Sequence, residues 1–176
     1  MIINEIFSLI QETNEMRPRI RVEVFAFNKE KTKILAHLRK EPIIPKLPAG
    51  AVDKGETFID AAKREMMEES GWIAKNFKYV NIPGNWKLNI SKKDQEKYFN
   101  KKKLDEDIIS ETNICVVCEA VKYNPNSNHG SQNDEDEFDL YDINLIKELT
   151  KNSVPMNERV NFQKQFRLAC FKQLGF

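Results

Sequence analysis

The stretch Gly50–Trp72, GAVDKGETFIDAAKREMMEESGW, decides the reading of this chain. Its second half, from Lys63 to Glu69, is built of good helix formers, and residues 57–70 carry a helical pattern. Glu65, Glu68 and Glu69 stand at i, i+3 and i+4, so a helix sets their carboxylates on one face. Like charges crowded in this way destabilise a bare helix. A divalent cation would relieve the repulsion and use the oxygens as hard ligands. Phe58, Ile59, Ala62, Met66 and Trp72 form a separate apolar stripe for the core. Gly71 stands where a left-handed helix cap is needed. Gly50 and Gly55 let the preceding loop pass close to bound phosphates. Taken without their surroundings, the three glutamates also fit a merely solvated acidic helix.

At these residues the chain resembles the Nudix hydrolases. The family signature runs Gly, five residues, Glu, seven residues, Arg-Glu, an aliphatic residue, any residue, Glu-Glu, any residue, Gly and a bulky apolar residue. Gly50, Glu56, Arg64, Glu65, Met66, Glu68, Glu69, Gly71 and Trp72 fill it, over 23 of 176 residues. The resemblance implies an α+β fold, a Nudix-like α/β/α sandwich with a mixed β-sheet, in a single domain over residues 1–176. It implies magnesium or manganese held by Glu65, Glu68 and Glu69, with the Gly50 carbonyl and Glu56 close by. Arg64 is expected to pair with the acids and fix their orientation. The implied catalytic set is therefore Glu68, Glu65, Arg64 and Glu69.

The implied reaction is hydrolysis of a diphosphate bond in a nucleoside diphosphate linked to another group. ADP-ribose, a dinucleoside polyphosphate and a nucleotide sugar are the candidate substrates, with a nucleoside triphosphate a further one. Two other readings stand beside it: a hydrolase of m7G- or NAD-capped RNA, and a non-catalytic nucleotide-sensing module. The lead-in Leu47-Pro48-Ala49 resembles that of ADP-ribose and nucleotide-sugar pyrophosphatases, some of which carry an acid at the place of Asp53. Pro83 departs from the ADP-ribose pattern by standing 11 residues past Trp72 (83 − 72) where about 15 is usual, by the same resemblance. Family members are often dimers, so a homodimer is among the expected states.

Outward from the motif, Arg19–Phe27 alternates as a strand, with Ile20, Val22, Val24 and Ala26 on one face and Arg21, Glu23, Phe25 and Phe27 on the other. A turn at residues 28–31 leads to a second strand over Lys33–Arg39, completing a hairpin. Pro42, Pro45 and Pro48 interrupt regular structure. Strands are expected at Phe77–Ile82 and Ile108–Tyr123, a short helix near Leu145 and Leu149, and a terminal helix over residues 155–176. Residues 1–15 hold Ile2, Ile3, Ile6, Phe7 and Ile10 at helical spacing and are expected to form an amphipathic helix docked on the body. Residues 124–137 are polar and read as an exposed loop.

Candidate substrate contacts are Arg39, Lys46, Arg21 and Trp86, with Phe25 as a further aromatic. Guanidinium groups clamp phosphates and aromatic faces stack on bases. Each of these residues taken singly also fits a solvated strand cation or a core aromatic. Glu111 and the acids Asp134–Glu137 are candidate additional bases or ligands. Cys115 and Cys118 lie three apart in a strand-like run, so they face opposite sides and read as structural thiols.

The whole-chain figures set the limits. Twenty-eight Lys and Arg against 27 Asp and Glu give a net charge of +1, which excludes a polybasic tail. A content of 40% hydrophobic residues with 11 Phe supports a core. No apolar run is long enough to span a bilayer, and Glu5 interrupts the start that a secretory signal would need. The expected setting is the cytoplasm, with a nucleotide-derived small molecule as partner and no membrane. A nucleic acid is the less favoured partner, because Lys92, Lys93, Lys97 and Lys101–Lys103 are interleaved with acids.

Overall fold

A computed structural model describes residues 19–38, 44–90, 110–126 and 137–176. The expected N-terminal helix, Arg39, the lysines between 92 and 103, and most of the polar loop lie outside the described residues. Among the described residues seven strands form one sheet: β1 (Arg19–Phe27), β2 (Lys33–Ala36), β3 (Ala49–Ala51), β4 (Trp72–Val80), β5 (Lys87–Asn89), β6 (Ser110–Tyr123) and β7 (Asp139–Asp142). The order is β4-β6-β1-β2-β7, with β3 paired to β1 and β5 to β6. β1 and β6 run parallel while the other pairs are antiparallel, so the sheet is mixed. Among the described residues three α-helices accompany it: α1 (Phe58–Glu65), α2 (Ile143–Asn152) and α3 (Glu158–Gln173).

The alternation in β1 explains the layering, because both of its faces are covered. Val22, Val24 and Ala26 join Val116, Cys118 and Ala120 beneath Ala61, Ala62 and Met66 of the motif helix. Phe25 and Phe27 join Cys115 on the opposite face, against Ile146, Phe166 and Phe171 of the last two helices. Phe25 meets Phe171 edge to face at 5.4 Å between centroids. Each such fully buried ring contributes about 1.5–3 kcal/mol. The two cysteines thus face opposite sides, as their spacing requires, and burial pushes the Cys118 thiol up to about 12.

Several expected boundaries move. The second strand stops at Ala36, and His37 pairs with Lys46 in an isolated bridge. The strand after the motif begins at Trp72 and not at Phe77, because Gly71 turns the chain directly into it. The proline-rich segment still contributes β3: Val24 N–H donates to Pro48 O, and Val52 N–H to Ile20 O. Residues 138–150 split into β7 and α2, with Asp142 capping the helix by accepting from Asn144 and Leu145 N–H. No helix among the described residues is long and apolar enough to cross a membrane.

A buried ion pair ties α3 to the sheet: Arg167 donates from Nε and Nη2 to Glu23 Oε1 and from Nη1 to the Pro45 carbonyl. Glu23 is wholly buried. Arg167→Met leaves that carboxylate without its cation and is expected to cost about 3–5 kcal/mol. Denaturant unfolding of the variant beside the parent checks this, and a loss below 1 kcal/mol would contradict it.

Candidate active site

Thr57 caps α1 by accepting from Asp60 N–H, which fixes the start of the motif helix behind the Gly55 turn (φ 81°). The helix does not run on as a regular α-helix. Its last turn, Met66–Ser70, widens to π-helical geometry and ends at Gly71 in the left-handed region, φ 66°. Such turns are rare and recur at functional sites. They also alter the facing of side chains that regular spacing alone would assign.

Arg64 is the hub of the site. Its Nε and Nη2 donate to the two oxygens of Glu56, both at 2.9 Å, a bidentate pair. Nη1 donates to Glu65 at 2.6 Å and to Glu68 at 3.3 Å, while Nη2 also reaches the Ala51 carbonyl at 2.8 Å. Asp53 lies at 3.7 Å from Nη2, and its N–H donates to Glu56. One guanidinium therefore links the loop, β3 and the acidic turn.

Glu65 turns inward and lies directly over Gly50. A Cβ built on Gly50 would fall within the Glu65 carboxylate, so any side chain there displaces that carboxylate from its seat. Glu69 uses one oxygen to accept from Ala49 N–H at 2.9 Å and holds the other 3.3 Å from Lys46 Nζ. Lys46 also lies over the ring of Phe138 at 5.6 Å. Glu68 is the most exposed of the three glutamates.

These environments pull the carboxyls in different directions. The Arg64 hydrogen bond holds Glu56 below the ordinary carboxylate value, and Glu56 in turn raises Arg64. Burial raises Glu65, with the neighbouring Glu69 and Glu68 charges adding to it and Arg64 opposing. A depressed carboxyl stabilises the fold fully above its unfolded value and loses that contribution as pH falls through the folded one. Glu56→Gln is therefore expected to lower the melting temperature at pH 7. Its gap from the parent should close as pH drops below about 4, near the reference carboxylate value. Thermal scans across pH check this, and a gap independent of pH would contradict it.

The structure brings together Gly50, Glu56, Arg64, Glu65, Glu68, Glu69 and Lys46. Among the described residues, no three acidic, histidine or cysteine side chains converge closely enough to form a ready metal cage. The reason is visible in the pairing: Arg64 and Lys46 draw the glutamates toward separate cations. The donor set nevertheless fits a hard divalent ion, being all oxygen, and the glycine at position 50 leaves the Glu65 carboxylate against the backbone.

The other candidates stand outside this group of acids. Trp86 packs on Phe162 and Phe166 of α3 and donates to the Pro83 carbonyl. Arg21 shares the α3 face of β1 with Glu23, and Phe25 is wholly in the core. Glu111 is buried and bound by Arg159 at 2.9 Å, with Arg19 at 3.8 Å, which makes it a structural acid. Sequence reading missed Arg159, Arg167 and Asn113, which meet this face only through the parallel pairing of β1 with β6 and the docking of α3.

Comparison with known proteins agrees with this architecture. The family model described as NUDIX domain matches residues 17–159. A NUDIX hydrolase from Nitrosomonas europaea superposes with a TM-score of 0.50 at 15% identity, covering 85% of this chain and 89% of that one. An ADP compounds hydrolase gives 0.51 at 16% identity, covering 92% and 78% respectively. A UDP-X diphosphatase gives 0.50 at 14% identity, covering 98% and 71%. No curated protein sequence matches the chain. At these identities the superpositions speak for the fold, and the family rests on the match over residues 17–159: the chain belongs to the Nudix hydrolases.

Proposed function

We propose that the protein hydrolyses the diphosphate bond of a nucleoside diphosphate joined to a second group, with magnesium or manganese as cofactor. The observation that carries this is the set of acids built around Gly50 and ordered by Arg64. Nudix hydrolases generally use a divalent metal. Here Glu65, Glu68 and Glu69 would hold it, with the Gly50 carbonyl and Glu56 adjacent. Such an ion would neutralise phosphate charge and make the attacking water more acidic.

The residues divide the remaining work. The bidentate Glu56 pair anchors Arg64, and Arg64 orients Glu65 and Glu68. Ala49 N–H fixes Glu69. Glu68, with no buried anchor, is the acid assigned to take a proton from the attacking water. The water oxygen bonds to one phosphorus, the bridging P–O bond breaks, and the proton remains on the carboxylate until product leaves. A nucleoside monophosphate and a phosphorylated partner result. Prepositioning of this kind supplies much of a catalytic acceleration.

The substrate pool is ADP-ribose, dinucleoside polyphosphates and nucleotide sugars. The similar folds of an ADP compounds hydrolase and a UDP-X diphosphatase are in keeping with it. The test is a panel of these nucleotides incubated with magnesium, with products separated by chromatography. Cleavage to a nucleoside monophosphate, abolished by chelator and restored by metal, is expected. Folded protein that turns over no member of the panel would overturn the reading.

A further inference from the structure

The side chains that the acidic site does not use gather on the other face of β1. Arg21 pairs in register with Asn113 on β6, and Glu23 lies one step further along the same face. Asn113 and Glu23 are almost wholly buried. Arg21 Nη1, Glu23 Oε2 and both amide atoms of Asn113 are buried and have no hydrogen-bonding partner among the described residues. Each such group costs about 1–3 kcal/mol when left unmade. Four together on one face require an explanation. Neighbouring carboxylates do not account for them: Glu23 spends its other oxygen on Arg167, and Glu111 is engaged by Arg159 and Arg19.

The cluster is also cationic. Arg19, Arg21, Arg159 and Arg167 meet two carboxylates, Glu23 and Glu111, leaving a formal +2 (4 − 2). Arg19 and Arg159 are only partly buried, so among the described residues the cluster is most accessible at the N-terminal ends of β1 and β6. The acidic site is close: Ala51 pairs with Arg21, and its carbonyl accepts from Arg64. Arg21 is thus about one strand spacing, roughly 5 Å, from the strand that carries that site.

We infer that Arg21, Asn113 and Glu23 form the recognition floor for the nucleoside end of the substrate, deepening the function proposed above and resting on it. Asn113 offers a donor and an acceptor side by side, the pattern that reads a nucleobase edge. Glu23 Oε2 adds an acceptor for a base or sugar donor. Arg21 supplies a charged donor toward the phosphate. A site that hydrogen-bonds a ligand in this way rejects analogues that leave its buried groups unpaired. Asn113 is therefore a specificity-determining residue, with no part in bond cleavage.

The experiment is calorimetric titration of the full chain with AMP, GMP, CMP and UMP, a readout that needs no turnover. The parent is expected to prefer one monophosphate by roughly tenfold or more, the scale of one bidentate base contact. Asn113→Leu should erase the preference while keeping or raising the melting temperature, since it removes two unmade buried groups. Arg21→Gln should weaken all four ligands alike. If Asn113→Leu does not fold, Asn113→Asp takes its place, and a shift of preference to another base is expected.

Equal binding of all four by the parent, no binding of any, or a preference untouched by either Asn113 variant would overturn the inference. In the last case a buried water alone fills the floor. Selective binding without cleavage of any diphosphate would instead overturn the proposed reaction and leave the recognition floor standing.

Discussion

Glu68→Gln is expected to lower turnover by roughly a hundred- to a thousandfold, the usual scale for removing one preorganised electrostatic group. The substitution keeps size and shape but deletes the charge that would bind metal and take the water proton. Its structural cost should be small. Glu68 is well exposed, and its contact with Arg64 is the longest that Arg64 makes to a glutamate. An ion pair of that kind contributes about 0–1 kcal/mol. The expected pattern is an unchanged circular-dichroism spectrum and melting temperature, with turnover nearly gone. Near-parental rates would refute the role given to Glu68.

Gly50→Ala is expected to lower turnover by about a hundredfold, the scale of a displacement of about 1 Å in a catalytic group. The added methyl falls where the Glu65 carboxylate now lies, so that carboxylate has to move. Glu65 is the end of a flexible side chain, and the stability loss should stay near the low end of the 1–3 kcal/mol typical of overpacking, about 1 kcal/mol. Activity should therefore fall much further than stability. The same substitution at Gly55 gives a contrast: its surroundings are open, and only its positive φ resists a side chain. A Gly50→Ala variant with parental turnover would show that Glu65 has no need of its present seat.

Much of this organisation was legible in the sequence, for identifiable reasons. The alternation of β1 is local, and both faces read correctly because each must be buried. Gly71 sits where a left-handed cap requires it, and it adopts that conformation. The Arg64 pairing with the motif acids followed from the family resemblance and is present in the structure.

Other features depend on contacts that spacing does not encode. The π-helical turn changes how Glu65, Glu68 and Glu69 face, and no propensity in Met66–Ser70 announces it. β3 forms within a proline-rich segment because β1 offers it a free edge, which outweighs the local breakers. The packing of Trp86 on Phe162 and Phe166 likewise comes from the docking of α3, which the residues around Trp86 do not announce. Asn113 and Arg167 gained meaning only when the parallel β1–β6 pairing and the α3 docking placed them beside Glu23 and Arg21. A polar residue in a strand carries no sign of whether its partner is water, protein or ligand.

The central claim is that water attacks a diphosphate bond at the acid set around Gly50. Its most direct test is the nucleotide panel run with magnesium in 18O-labelled water, with mass spectrometry of the products. The account predicts a nucleoside monophosphate and a phosphorylated partner, with one 18O on a phosphate of one of the two and loss of the reaction in Glu68→Gln. Products free of label, cleavage at a near-parental rate in Glu68→Gln, or no cleavage of any diphosphate would contradict it.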